Sequence, residues 1–188
     1  MSSNHSSESR YHGLSMLLHW VLAIALVAVF ALGAYMADLP FSPQRLKLYS
    51  WHKWAGVSIL ILSLLRLVWR LTHRPPALPA PIADAMPGWQ RAAHHATHHG
   101  LYLLFFAVPL TGWAYSSAAG FPIVLFGLLP LPDFVPADKA LSELIKPWHG
   151  ISAFAMATLV LLHVAGALKH ALIDRDGLLQ RMSPFGKS

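Results

Sequence analysis

Apolar positions in this chain come in long unbroken blocks and do not alternate with polar ones. Residues 15–37 hold no Asp, Glu, Lys or Arg. A helix crosses a hydrocarbon layer with about 20 apolar residues, so this block predicts a spanning helix. A secretory leader is the rival reading, but the block is longer than a leader's apolar core and no persuasive small-residue cleavage site follows it. Residues 148–168 lack the same four residue types and are closed by Lys169, which predicts another span. Between Lys53 and Arg66 only residues 54–65 are uncharged. A span over 48–71 therefore requires Lys53, Arg66 and Arg70 to snorkel to the interfaces or to meet anionic groups inside a bundle. A further span is expected over 96–118, with Pro109 kinking it. The stretch 120–136 is apolar but broken by Pro122, Pro130, Pro132 and Pro136, and reads as an interfacial connection. The pattern predicts an all-α membrane protein, a four-transmembrane-helix bundle with helices at about 15–37, 48–71, 96–118 and 148–170, in one domain over 1–188.

Composition sharpens this. The 188 residues are 55% hydrophobic and 12% charged, against about 25% charged in an ordinary soluble domain. Cysteine is absent, which excludes disulfides, thiolate zinc sites, iron–sulfur clusters and haem attached through cysteine. Lys+Arg, at 14, exceed Asp+Glu, at 8. The cations lie between the apolar blocks, where a membrane surface explains them better than a nucleic acid does. Cytoplasmic loops carry the Lys/Arg excess. Arg10, Arg66, Arg70, Arg74, Arg91, Lys169, Arg175, Arg181 and Lys187 fall on one side, against Arg45, Lys47, Lys53, Lys139 and Lys146 on the other. Both termini are therefore expected in the cytoplasm, with 38–49 and 120–147 outside. The Pro-rich run 75–81 is expected to be an extended cytoplasmic connector.

Histidine is the over-used residue, with 12 copies. Ionisable side chains inside spans are costly and face the bundle interior. His19 lies about one turn into the first span, His52 near the outer end of the second, and His149 and His163 on the last. Fourteen residues separate His149 from His163, which is about 21 Å of helix and a return to nearly the same face. Two opposing pairs result, His19 with His163 near the cytoplasm and His52 with His149 near the outside. Either pair suits the axial positions of a haem iron, and two haems would form a path for one-electron transfer across the membrane. The bland reading of one such histidine is a hydrogen-bonded bundle residue, and four at paired depths weigh against it. Gly56, Gly150 and Gly166 would admit a porphyrin or simply let helices pack closely. Trp20, Trp51 and Trp148 read as interfacial anchors.

Leu18-His19-Trp20, His52 followed by 56–60, Arg66 and Arg70 with the Pro-rich connector, His98 ahead of 102–105, Trp148-His149, Leu162-His163 and Lys169-His170 together resemble the bacterial cytochrome b561 family. The likeness is greatest to its small four-helix di-haem members of the superoxide oxidase type. It covers nearly the whole chain, differing in the 120–147 connection and in the histidine-rich 94–99 segment. The resemblance implies two b-type haems in a bacterial inner-membrane protein that exchanges electrons with ubiquinone. For the superoxide oxidase members it further implies oxidation of superoxide at the outer haem and reduction of quinone near the inner one.

Further residues then acquire candidate roles. His98 and His170 are placed to bond a quinone carbonyl or deliver protons, the rival being interfacial snorkelling. Arg66 and Arg70, one turn apart, are candidate partners of haem propionates. Lys53 and Lys146, next in sequence to or near His52 and His149, are candidates for steering superoxide. His94, His95, His98 and His99 have i, i+4 spacing for a metal but lack carboxylate or thiolate company. Two other classes stand beside the oxidoreductase: a haem subunit passing electrons between quinone and a redox protein partner, and a histidine-lined metal transporter. The transporter would want acidic residues along its path, and the two uncharged spans hold none.

Overall fold

The computed structural model describes residues 10–183. Four long helices carry the fold, α1 (Gly13–Ala37), α2 (Pro43–Thr72), α4 (Gly88–Ala118) and α5 (Lys139–Lys169), with a short α3 (Ala80–Ala85) before α4. All four are long and apolar enough to cross a membrane. Their starts are set by local chemistry. Ser42 Oγ accepts from the Arg45 N–H at 3.2 Å ahead of Pro43 in the first turn of α2, and Asp138 Oδ1 accepts from the Leu141 N–H at 3.0 Å at the start of α5. Such caps satisfy donors that a helix start leaves free. They lie outside the apolar blocks, so α2 and α5 begin several residues before the starts expected at the polar-to-apolar boundaries; α4 also begins early, after Pro87 and without a side-chain cap. Pro109 and Pro147 lie within continuous helix.

The Pro-rich connector departs from the expected extension through residue 81. It winds into α3 from Ala80, because proline is well suited to a helix's first turn. The outer connection is a small hairpin, β1 (Val124–Leu125) antiparallel to β2 (Leu129–Pro130), turning through Gly127 at φ 73°. It does not span.

The helices pack in the order α1–α2–α4–α5. The approach of α5 to α1 and α2 is sparser, and across the cleft between them Phe30 of α1 meets Phe154 of α5 edge-to-face at 5.5 Å between ring centres. Few apolar side chains are buried: Leu18, Leu22 and Met36 on α1, Val57 and Ile59 on α2, Met156 on α5, with Ala118 and Ile123 at the outer end. Ile24, Val27, Leu103 and Leu161 point outward, as they do where lipid is the solvent and gives helices no hydrophobic reason to associate.

The two ends of the described chain meet on one side. Arg10 Nη2 donates to the Ser183 carbonyl at 2.8 Å, the Tyr11 N–H to the Arg181 carbonyl at 3.3 Å, and Trp20 Nε1 to the Met182 carbonyl at 2.9 Å. The buried Arg181 donates Nη2 to the Pro76 and Ala77 carbonyls at 3.2 and 2.8 Å. Head, connector and tail are thereby tied together at the end of the bundle opposite the hairpin. Arg181→Ala is expected to lower stability by about 2 kcal/mol, the scale of charge-assisted hydrogen bonds, read as a lower unfolding temperature. The chain has no native cysteine, so Ser183→Cys and Leu128→Cys should label from opposite faces of sealed vesicles. Labelling of both from one face would break this architecture.

Candidate redox centres

His149 on α5 faces His52 on α2 with ring centres 6.2 Å apart, and His163 faces His19 on α1, also at 6.2 Å. Both pairs therefore join helices that pack only sparsely against each other; the imidazoles reach across the cleft. A metal held in line between two imidazoles by bonds of about 2 Å on each side sets the ring centres about 6 Å apart. The side chains fit that arrangement. The remaining ring nitrogens fit it as well. His149 Nδ1 lies 3.1 Å from the Val108 carbonyl and 3.4 Å from the Thr111 hydroxyl. A carbonyl only accepts, so Nδ1 carries the hydrogen and the Nε2 lone pair is left for a metal. His52 Nδ1 is buried without a hydrogen bond of ordinary geometry.

The outer pair is seated by two glycines that the sequence reading did not single out. A Cβ on Gly33 of α1 would lie 2.9 Å from His52 Cε1, and one on Gly112 of α4 would lie 2.8 Å from His149 Cε1. Each outer imidazole thus has its back against bare helix. The spacing behind this recurs in every spanning helix. Fourteen residues separate His19 from Gly33, His52 from Arg66, His98 from Gly112 and His149 from His163. The positions sort into an inner layer of His19, Arg66, His98 and His163 and an outer layer of Gly33, His52, Gly112 and His149.

Contacts bear the layers out. In the inner one, the His98 ring lies 5.0 Å from His163, and Arg66 is a charged neighbour of both His19 and His163. Arg66 Nη1 donates to the Ser15 carbonyl at 3.4 Å, one turn from His19, and the Arg70 guanidinium lies 5.5 Å from the Tyr102 ring centre. Both arginines line a cavity with Ser15, Trp69, Arg74 and Tyr102. A haem's carboxylates would find two guanidinium groups there. The expected glycines behave otherwise: nothing lies within 4 Å of a Cβ built on Gly56, Gly150 or Gly166, so close helix packing is not their role.

The remaining candidates separate. Lys53 Nζ donates to Ser116 Oγ at 3.3 Å and to the Phe121 and Pro122 carbonyls at 3.1 and 3.4 Å, while Trp54 Nε1 donates to the Val124 carbonyl at 2.7 Å. Lys53 therefore clamps the outer connection onto α2, and Lys146 is exposed. His98 joins the inner layer, with Nδ1 against the His94 carbonyl at 2.8 Å. His170 sits beyond α5 in a π-helical turn, His170–Asp174. Its Nδ1 lies 2.6 Å from Asp176 Oδ2, and its Nε2 lies 3.4 Å from Gln90 Nε2 on α4. His99 turns Nδ1 back to the His95 carbonyl at 2.7 Å. The 94–99 histidines form no converging ligand set among the described residues. The group that does converge is His170, Asp174 and Asp176, where Lys169 Nζ already lies 2.6 Å from Asp174. Trp20, Trp51 and Trp148 are exposed at span ends, as interfacial anchors are.

Fold and site together define a helical membrane protein with paired imidazoles at two depths. The sequence profile of the prokaryotic cytochrome b561 family matches residues 10–185, and the chain belongs to that family. It is 34% identical over 184 residues to cytochrome b561 homolog 2 of Escherichia coli (strain K12), covering 97% of this chain and 95% of that protein. The probable superoxide oxidase CybB of Yersinia pestis is 28% identical over 177 residues, 93% of this chain and 96% of its own. Cytochrome b561 homolog 1 of the same E. coli strain is 28% identical over 180 residues, 95% and 99% of the two chains. The family binds b-type haem and works in membrane electron transfer.

Gly33→Ala and Gly112→Ala are expected to push the rings of His52 and His149 out of place at a cost of about 1–3 kcal/mol, as overpacking does. Haem content or the haem absorption band of the purified protein reads the change. Unaltered spectra in both variants would show that these glycines do not seat the rings.

Proposed function

We propose that the protein holds two b-type haems, one between His52 and His149 and one between His19 and His163, and passes electrons from superoxide outside to ubiquinone near the cytoplasmic end. The observation that carries this reading is the pair of matched imidazole separations at opposite ends of one cleft. Bound there, a haem would supply one-electron chemistry, with His52, His149, His19 and His163 as the residues that would hold it. The residues of the chain do the rest. His52, His149, His19 and His163 hold and orient, Gly33 and Gly112 seat the outer rings, and Arg66 and Arg70 receive the inner propionates through charge-assisted bonds. Apolar helix faces exclude water.

At the outer end the substrate is an anion, and Lys146 with Lys53 supplies a positive field to draw it in. Each superoxide gives up one electron and leaves as dioxygen. At the inner end, two electrons and two protons convert ubiquinone to the quinol. His170, with Nδ1 against Asp176 and Nε2 3.4 Å from Gln90, would exchange those protons, and His98 would be a second hydrogen-bond partner for a quinone carbonyl. The positive-inside rule supports a bacterial inner-membrane protein with both termini cytoplasmic. The name of the Yersinia relative, probable superoxide oxidase, supports the donor.

A purified preparation should contain two haems per chain. His149→Ala and His52→Ala should share one altered spectrum, and His163→Ala and His19→Ala another; cross-matching would mean that the pairs are assigned wrongly. In stopped flow, a superoxide pulse should reduce the haem band and ubiquinone should reoxidise it. Lys146→Gln should slow the reduction severalfold at low salt, and the difference should close as added salt shortens the screening length toward about 8 Å and below. A protein that a chemical reductant reduces but superoxide does not would lose the enzyme reading to that of an electron-transfer subunit. Reduction without reoxidation by ubiquinone would remove the acceptor alone.

A further inference from the structure

We infer that Arg66 makes the inner of the two haem sites the stronger electron acceptor, so that the direction of electron flow is built into the bundle. The inference rests on the two-haem reading and concerns the difference between the layers. Each has four positions supplied by the same four helices at the same fourteen-residue interval. Around the His19/His163 pair the other two positions are Arg66 and His98; around the His52/His149 pair they are Gly33 and Gly112. One layer therefore contains a permanent cation and the other contains two residues with no side chain. Arg66 is fixed in place, with Nη1 3.4 Å from the Ser15 carbonyl one turn from His19.

The outer layer holds no cation at any of its four positions. Its nearest is Lys53, one residue from His52, whose ammonium is bonded to Ser116 Oγ and to the Phe121 and Pro122 carbonyls of the connection. At the inner end Arg70 and Arg74 extend the same sign of charge along the cavity wall.

The sign follows from charge alone. Reducing a ferric haem adds one electron and no proton, so the site becomes less positive. A nearby cation disfavours the more positive, oxidised form and raises the tendency to accept the electron. Inside an apolar bundle this effect is stronger than in water and is little screened by salt. Pairing with propionates does not reverse it. Those carboxylates would otherwise lower the electron affinity of their own haem, and the guanidinium offsets them. One electron passing from the outer iron to the inner leaves the outer oxidised and the inner reduced, and balances without any further reactant.

The test is a potentiometric titration of the purified haem protein, with haem stoichiometry measured first. The His163→Ala variant identifies which component is the inner one. Arg66→Gln should move the electron distribution between the haems about tenfold toward the outer, which is about 59 mV for a one-electron couple. The outer midpoint should stay fixed, and Arg66→Lys should restore most of the difference. An unchanged inner midpoint in Arg66→Gln with both haems bound overturns the inference, as does an equal shift of both. Should Arg66→Gln fail to retain the inner haem, Arg70→Gln decides: a smaller shift in the same direction supports the inference, and no shift overturns it. A wild-type preparation with a single haem per chain removes the two-haem reading itself, before any potential is measured.

Discussion

Two imidazoles reaching toward one another across a cleft that the helices do not close form the interaction on which the rest of this molecule depends. In lipid, helices gain no hydrophobic stabilisation from packing, and α5 makes no extensive approach to α1 or α2. The His19/His163 and His52/His149 pairs address one side of the cleft to the other, together with the edge-to-face contact of Phe30 and Phe154. A centre held at each pair would fill the cleft and supply contacts that the helices lack. The fourteen-residue interval is then a constraint on all four spans together. It equals about 21 Å of rise and falls roughly 40° short of whole turns, so one face of each helix meets both layers. That shortfall is small enough for a straight helix to serve two sites and large enough to favour slightly tilted ones.

The ends of the bundle are closed in different ways, and the difference matches the difference between the layers. At the hairpin end, the closure is local to the connection: Lys53 and Trp54 of α2 hold carbonyls of Phe121, Pro122 and Val124. At the opposite end it is long-range. The head of α1, the connector after α2 and the tail after α5 are tied by Arg10, Trp20 and Arg181. Backbone carbonyls accept most of these bonds, and Ser116 Oγ accepts from Lys53 as well.

The spans and the two imidazole pairs were legible in the sequence because both are consequences of periodicity. An uncharged block of more than 20 residues has one stable form in lipid, and helical rise converts residue number directly into depth. Gly33 and Gly112 were not legible as individual residues. Glycine is common in membrane helices, and only the interval from His19 and His98, applied to every span, would have picked these two out. Asp176 escaped for another reason: its return to His170 depends on Arg175 taking a left-handed conformation, φ 52°, which nothing in a non-glycine residue announces. Lys53 was legible as a charge near one end of a span. What that charge touches, Ser116 and the Phe121 and Pro122 carbonyls, lies far along the chain, beyond the reach of local pattern.

Imidazoles on both sides of a haem would shift the question of specificity from the metal to its surroundings. If imidazole fills both sides at each layer, no donor or acceptor is selected by binding to the iron, and selection falls to what covers the edges. At the hairpin end Phe126 lies against Trp54 of α2 at 5.7 Å between ring centres. At the opposite end an arginine-lined cavity has Met182 of the tail in its wall. The frame of helices and layers can therefore stay constant among relatives that differ in these coverings. The 120–147 connection and the 170–183 tail are accordingly where a difference in electron donor or acceptor between this chain and its relatives is to be sought, and the spans are where the shared one-electron chemistry resides.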